Sequence, residues 1–374
     1  MRLVGGAVAL SLRLWSVELY CGHSRLGNRL FHSKGRIMSS SLASTPPLID
    51  VDCNLMHKDL QSLQQQRPSQ DEELEGDKGK LDILQEDAVK ESNIVAMLSP
   101  SSTLEEAKRG LALLSDVSGA DTRVEIKTTV GIHPYHVTDE GIGSVQEELD
   151  RMRELLEEYT PSSLVAAVGE CGLDYSEGFP SREAQLPWLE AQVQFAQDQG
   201  LPLFVHERLA FDDTIRILTE KDVSVPIIVH CFTGTADECQ EYVQRGYYLS
   251  LSGHVLRPDG EGARQCLRDG LVPLDKLMIE TDAPYMGFTG CRANYVEKQA
   301  DFVASLNSKK RKRLQNSIYP NLPSSLPLVL HKIVECINQG RQERNETPVT
   351  HEQVAESTTR NAIAFFGFSK ELVD

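Results

Sequence analysis

No stretch of this 374-residue chain approaches the roughly 20 consecutive apolar residues that a membrane-spanning helix requires, so no membrane partner is expected. The eight cysteines (Cys21, Cys53, Cys171, Cys231, Cys239, Cys266, Cys291 and Cys336) include no Cys-x-x-Cys pair. That spacing indicates neither a zinc ribbon nor a disulfide scaffold, and it fits a reducing compartment. No Gly-x-Gly-x-x-Gly follows an early strand, which argues against a dinucleotide-binding open sheet. Positive charge is also short: 38 Lys and Arg stand against 55 Asp and Glu, a formal net charge of −17. Such a chain does not bind duplex nucleic acid through a broad basic face. An enzyme acting on nucleic acid stays open, because metal ions can supply the positive charge locally.

Acid, in turn, is what the first 47 residues lack. Arg2, Arg13, Arg25, Arg29, Lys34 and Arg36 face one acid, Glu18, among many serines and leucines. Arg-rich, Ser-rich and acid-poor is the composition of a transit peptide, so residues 1–47 are expected to be a disordered leader to mitochondria or another organelle. The competing reading starts the product at Met38 and leaves it cytoplasmic or nuclear. One domain follows over 48–374, with a polar, low-complexity run near 64–80 that reads as a mobile insertion. A monomer is the expectation.

What is present is alternation. A short strand begins at Leu48, and further strand-length apolar runs lie at 93–98, 124–130, 164–169, 202–206, 226–231, 247–252 and 276–281. Amphipathic stretches separate them at 102–115, 144–159, 181–199, 212–220, 236–245 and 263–270, and final helices are read at 326–339 and 351–366. Strand–helix alternation repeated about eight times over roughly 250 residues predicts an α/β fold of the (β/α)8 TIM-barrel type. An open doubly wound sheet is the alternative.

The stretch 164–175 organises the rest. Its apolar run, Leu-Val-Ala-Ala-Val, stops at Gly169 and puts Glu170 at the strand's last position, where a buried carboxylate is expensive without a cation or donors. The oddity recurs at other predicted strand ends, the end of a barrel that carries active sites. The first offers Asp50, Asp52 and Asn54; the third runs into His133; beyond Glu170 stands Asp174. The fifth ends in His206-Glu207, the sixth in His230-Cys231 and the eighth in Glu280-Thr281-Asp282. A lone histidine after an apolar strand is usually a core residue. His206 and His230 in matched positions, flanked by Glu170 and Asp282, instead read as the ligands of a catalytic divalent metal. Such a site serves hydrolysis, and a pair of ions bridged by Glu170 would suit phosphodiesters, with Asp282 as ligand and general base.

At these residues the chain resembles the TatD family of metal-dependent deoxyribonucleases, within the amidohydrolase-like barrel superfamily. The matching segments are Ile49-Asp50 with Asn54-Leu55, Gly131-Ile132-His133-Pro134, Gly169 to Tyr175, Gln185 to Gln192, Leu201 to His206, Val229 to Gly234 and Ile279 to Tyr285. The resemblance implies a (β/α)8 fold and dependence on a divalent cation, Mg2+ first, with Mn2+ or Zn2+ as alternatives. It also implies 3′-to-5′ exonuclease action on single-stranded DNA, with RNA as a further substrate. Carried over, Glu170, His206 and His230 are metal ligands and Asp282 is ligand and acid–base catalyst; His133 and Asp174 are expected to contact substrate. His133 could equally brace a ligand or be a turn residue held by Pro134.

Two departures stand out. Where many relatives carry His-x-His on the first strand, this chain has Asp52-Cys53-Asn54. Oxygen donors at Asp52 and Asn54 favour magnesium or manganese over zinc, and predict a weakly held or absent first metal. The Arg-Asn-Glu-Pro of relatives is also missing, and Tyr319-Pro320-Asn321-Leu322-Pro323 stands near its place. The basic run Lys309, Lys310, Arg311, Lys312 and Arg313 reads as phosphate contact, a nuclear-import tag or a solvated loop. Two other functions compete: hydrolysis of another bond, such as an amide, a lactone or a D-aminoacyl-tRNA ester, and a barrel that binds without catalysis.

Overall fold

The computed structural model describes residues 46–62, 87–117, 124–159 and 163–372. The leader up to Thr45 and the insertion at 64–80 lie outside the described residues. Eight strands pair in parallel and in sequence order: β1 (Leu48–Asp50), β2 (Ile94–Ser99), β3 (Glu125–Val130), β4 (Val165–Asp174), β5 (Leu203–Arg208), β6 (Ile227–Val229), β7 (Tyr248–Leu251) and β8 (Leu277–Ile279). The seam between β8 and β1 is closed just beyond the strands. There Val51 N–H donates to Ile279 O at 3.2 Å, Asp282 N–H donates to Asp52 O at 2.8 Å, and Cys53 bridges Ala283 in parallel. The buried Asp50 carboxylate latches the same seam, accepting from Thr281 N–H at 2.8 Å and Thr281 Oγ1–H at 2.6 Å. The result is the (β/α)8 barrel predicted from the alternation. The six predicted helices between strands β2 and β8 begin and end within two residues of the observed ones.

Period-two alternation decides which residues meet inside. On β5 and β6, Leu203, Val205, Ile227 and Val229 pack in the large outer cluster with the helices, while Phe204 and Ile228 face the barrel interior with Ile49, Val51, Leu98 and Met278. Two residues further on the inner face come His206 and His230. The last helix, His351–Phe366, stoppers the opposite mouth: Phe366 lies 6.2 Å from Phe204 between ring centroids, and Thr359 Oγ1 donates to Pro47 O at 2.8 Å. The inner layer is therefore apolar at the N-terminal end and polar at the C-terminal end.

One expectation fails at β4. The strand does not stop at Gly169, and Glu170 is not its last residue; pairing with β5 continues to Asp174. The glycine that punctuates the apolar run permits close approach here and ends nothing. Between Val168↔Leu203 and Cys171↔Val205 the register shifts, so β4 carries one extra residue against Phe204. Gly169 and Gly172 have φ of 152° and 154°. A Cβ on Gly169 would strike the Phe204 carbonyl, and one on Gly172 the His206 carbonyl. Both are backbone atoms of β5, with no flexible side chain to give way. Gly172→Ala is therefore expected to destabilise the protein by on the order of 2–3 kcal/mol, read as a shift of the urea midpoint at unchanged slope. A midpoint equal to wild type would mean that the two strands can separate freely here.

Candidate metal centre

The strand ends assemble two donor groups that share His230. In the first, Glu170 Oε1 is faced by three imidazole nitrogens: His230 Nε2 at 2.9 Å, His206 Nδ1 at 3.1 Å and His133 Nε2 at 3.4 Å. His206 Nε2 reaches Asp174 Oδ2 at 3.0 Å. In the second, His230 Nδ1 faces Asp52 Oδ2 at 2.9 Å and Glu280 Oε1 at 3.8 Å. None of these last three atoms, all buried, completes a hydrogen bond among the described residues. Asn54 Nδ2 joins the group, 3.2 Å from Asp52 Oδ1 and 3.4 Å from Asp282 Oδ1. The structure thus brings Asp52, Asn54, His133, Glu170, Asp174, His206, His230 and Asp282 to one mouth of the barrel. All of these but Asp52 line a cleft of about 820 Å³, and Cys231 joins them on its wall.

Electrostatics separates the two halves. Burial would raise the Glu170 carboxyl, but the imidazoles of His133, His230 and His206 outweigh it and hold the group well below its ordinary range. Burial would likewise depress His206 and His230; the Asp174 and Glu170 carboxylates outweigh it at His206, and Glu170 and Asp52 at His230, so both are raised. His133 differs, because burial dominates and lowers it to about 3, so it is neutral. Its Nδ1 accepts from Tyr135 N–H at 3.2 Å, which leaves the proton on Nε2, directed at Glu170. Of the three alternatives open for His133 (substrate contact, brace or turn residue), a proton directed at Glu170 fits the brace.

The other half is a crowd of carboxylates. Asp52 is pushed well above its ordinary value by burial and then by the Asp282 charge. Burial and the Glu280 charge raise Asp282 to about 8, and burial raises Asp50 to about 7 despite its bonds to Thr281. No Lys or Arg forms an ion pair with these acids among the described residues. Buried like charges with orphaned oxygens, beside an imidazole-ringed carboxylate, fit a divalent cation, which would satisfy the donors and neutralise the acids.

Second contacts hold these groups in place. Two buried glutamines on the helix Arg182–Gln199 clamp backbone with both amide atoms. Gln185 accepts from Asp174 N–H at 2.8 Å and donates to Asp174 O at 2.6 Å. Gln192 does the same to Ile132, at 2.7 and 3.0 Å, next to His133. Their residue types lie within the matched segment, but their role needed the fold.

A family model described as TatD related DNase matches residues 49–367. The chain belongs to the TatD family. TatD-related proteins are metal-dependent nucleases and hydrolases, in keeping with the donor groups above. The chain is 33% identical over 198 residues to a protein of Enterobacter lignolyticus named 3′-5′ ssDNA/RNA exonuclease TatD, covering 52% of this chain and 70% of that protein. It is 32% identical over 244 residues to the protein of the same name from Citrobacter rodentium, covering 65% of this chain and 77% of that one. The crystal structure of a TatD homologue from Escherichia coli K12 shares the fold, with a TM-score of 0.63 at 21% identity over 86% of this chain and 98% of that chain.

Two residues, one beneath the cleft and one on its wall, have roles that the sequence does not mark. Glu280 is fully buried, accepts from Ser250 Oγ–H at 2.5 Å and points its other oxygen at His230. The available signal is alternation, since Glu280 and Asp282 are two apart and so share a face. Arg208 lines the cleft with its guanidinium bonded to Thr233 Oγ1 and forms no ion pair among the described residues. Nothing local marks it, because the predicted fifth strand stops two residues short.

Proposed function

We propose that this TatD-family chain is a divalent-metal-dependent 3′-to-5′ exonuclease of single-stranded DNA, with RNA as a further substrate. The observation that carries the reading is the pairing of Glu170, ringed by three imidazoles, with a buried carboxylate group that has no Lys or Arg partner among the described residues, at the floor of an open cleft. Glu170, His206 and His230 would hold one cation, and Asp52, Glu280 and Asp282 provide the oxygen donors for another. The oxygen-rich set suits magnesium or manganese; zinc is the better match for imidazole. When bound, a divalent cation supplies Lewis acidity, polarising the phosphoryl group and making water acidic enough to attack.

The chain's own residues do the rest. Asp282, raised to about 8 by burial and the Glu280 charge, keeps its proton at neutral pH while no cation is bound; the charge of a bound cation would draw that proton off and leave a carboxylate able to accept one from water. His133 carries a proton at Nε2 and braces Glu170. Asp174 fixes the His206 ring from its other nitrogen, and accepts from Ser176 N–H at 2.7 Å, so it serves the histidine more directly than the substrate. Arg208, unpaired by acid among the described residues, is placed to meet a phosphate. The names of the two bacterial relatives support the choice of nucleic acid.

Polarity and metal dependence are tested together. Dialysed protein is mixed with oligonucleotides labelled at the 5′ or the 3′ end, with chelator and then with Mg2+ or Mn2+. The expected result is a descending ladder from the 5′ label, immediate mononucleotide from the 3′ label and no cleavage in chelator. A ladder from the 3′ label would reverse the polarity, and cleavage unaffected by chelator would remove the metal.

A further inference from the structure

We propose that Tyr285 and Tyr319 form a stacking platform for the bases of a single strand entering the cleft; this rests on the nuclease reading above and names how that strand is held. Tyr285 is 46% exposed and Tyr319 43%, although both are large aromatic residues beside a deep cleft. Their ring centroids lie 6.3 Å apart at 45°, so neither covers the other and each shows a face to solvent. Tyr285 stands three residues beyond Asp282 and lines the cleft, and its backbone N–H donates to Asp282 O at 2.6 Å.

Both rings are fixed in place. The His57 ring meets Tyr285 edge-on at 5.5 Å. Tyr319 Oη–H donates to Asp59 Oδ2 at 2.6 Å, and Ser317 Oγ clasps its backbone, donating to Tyr319 O at 2.6 Å and accepting from Tyr319 N–H at 3.3 Å. A phenol tied down at its tip keeps its face available and loses little freedom when something stacks on it. Phe179 makes a useful contrast: its ring lies nearly parallel to that of His206, 6.5 Å away and at 17°, and so belongs to the metal centre.

Charge explains why stacking is wanted. A chain of net charge −17 repels a polyanion, so affinity must come from a local cation surface or from contacts that carry no charge. The chain carries both within a few residues of Tyr319 in sequence. The helix Ser308–Asn316 leads directly to Tyr319. Arg311 is engaged by the carbonyls of Val303, Ala304 and Leu306, while Lys309, Lys310, Lys312 and Arg313 form no ion pair among the described residues. Basic groups that follow the sugar–phosphate beside aromatic faces that take the bases are the arrangement that grips a single strand without reading its sequence. A duplex hides its base faces and gains nothing from the two rings.

The test uses the full chain in chelator, where nothing is cut, with fluorescence anisotropy on two labelled probes of equal length: oligothymidylate and an oligomer of abasic tetrahydrofuran phosphates. Tyr285→Ala with Tyr319→Ala is expected to weaken oligothymidylate binding by about tenfold per ring removed and to leave the abasic probe unchanged. Tyr285→Leu, which keeps apolar volume without an aromatic face, should lose its share, and Tyr285→Phe should retain wild-type binding. Equal loss on both probes, no loss on either, or full retention by Tyr285→Leu overturns the platform. The nuclease reading fails separately: wild type that binds oligothymidylate through these rings yet never shortens it with metal keeps the platform and removes the nuclease. Wild type that shortens it while the double variant binds equally well does the reverse.

Discussion

Asp282→Asn is expected to lower metal-supported cleavage of single-stranded DNA by on the order of 10³-fold while leaving the fold intact. Asn fills the same volume, and the backbone bond from Asp282 N–H to Asp52 O does not involve the side chain. What disappears is the oxygen that accepts a proton. The stability of the metal-free protein should move the opposite way. In chelator, wild type has an Asp282 whose folded pKa lies near 8, against an ordinary 3.8. A carboxyl raised on folding is most stabilising while protonated, and that contribution is lost as pH rises from about 4 to about 8. Asn loses nothing over that window. Melting in EDTA should therefore show variant and wild type alike near pH 4 and the variant more stable above pH 8. Cleavage at the wild-type rate by the variant would take Asp282 out of the chemistry.

Glu170→Gln should fail differently. Glu170 is the anion that three imidazoles share, so its loss is expected to weaken Mn2+ binding by on the order of 10²-fold or more, measured by calorimetry, and to abolish cleavage with it. In chelator this variant should be less stable than wild type. Glu170 is lowered on folding from 4.5, so its contribution is present above about 4.5 and lost as pH falls through its low folded value. His206 and His230 are raised from 6.5, so theirs is complete below about 6.5 and lost as pH climbs through their folded values. The two overlap between about pH 4.5 and 6.5, where the deficit should be largest. One acid of the cleft thus stabilises the empty barrel and the other burdens it. A Gln variant that melts with wild type at about pH 5.5, the middle of that window, would show that Glu170 does not balance the histidines.

The contrast is half legible in the sequence. Phe204 before His206 and Ile228 before His230 give away both histidines, because a strand buried on both faces must break its apolar run to show a polar group inward. Tyr285 stands in a matched segment, but its pairing with Tyr319 cannot be seen, since the long connection between them has no periodic signal. Asp59, which anchors Tyr319, is 260 positions away in sequence. Gly169 misleads for a physical reason: glycine ends strands and also lets strands touch, and only the partner backbone says which. Glu280 is visible as a residue and invisible as a neighbour of His230, because two-residue alternation places it on a face without saying what stands opposite.

The stoppering of the lower mouth bears on how the chain is made. Phe366 and Thr359 reach Phe204 and Pro47, so a ribosome delivers the plug after every stave of the barrel has left the exit tunnel. Until then the oily lumen stands open at its base and the first stave lacks its clasp. A nascent chain halted before residue 351 should accordingly be a client for chaperones that bind exposed apolar surface.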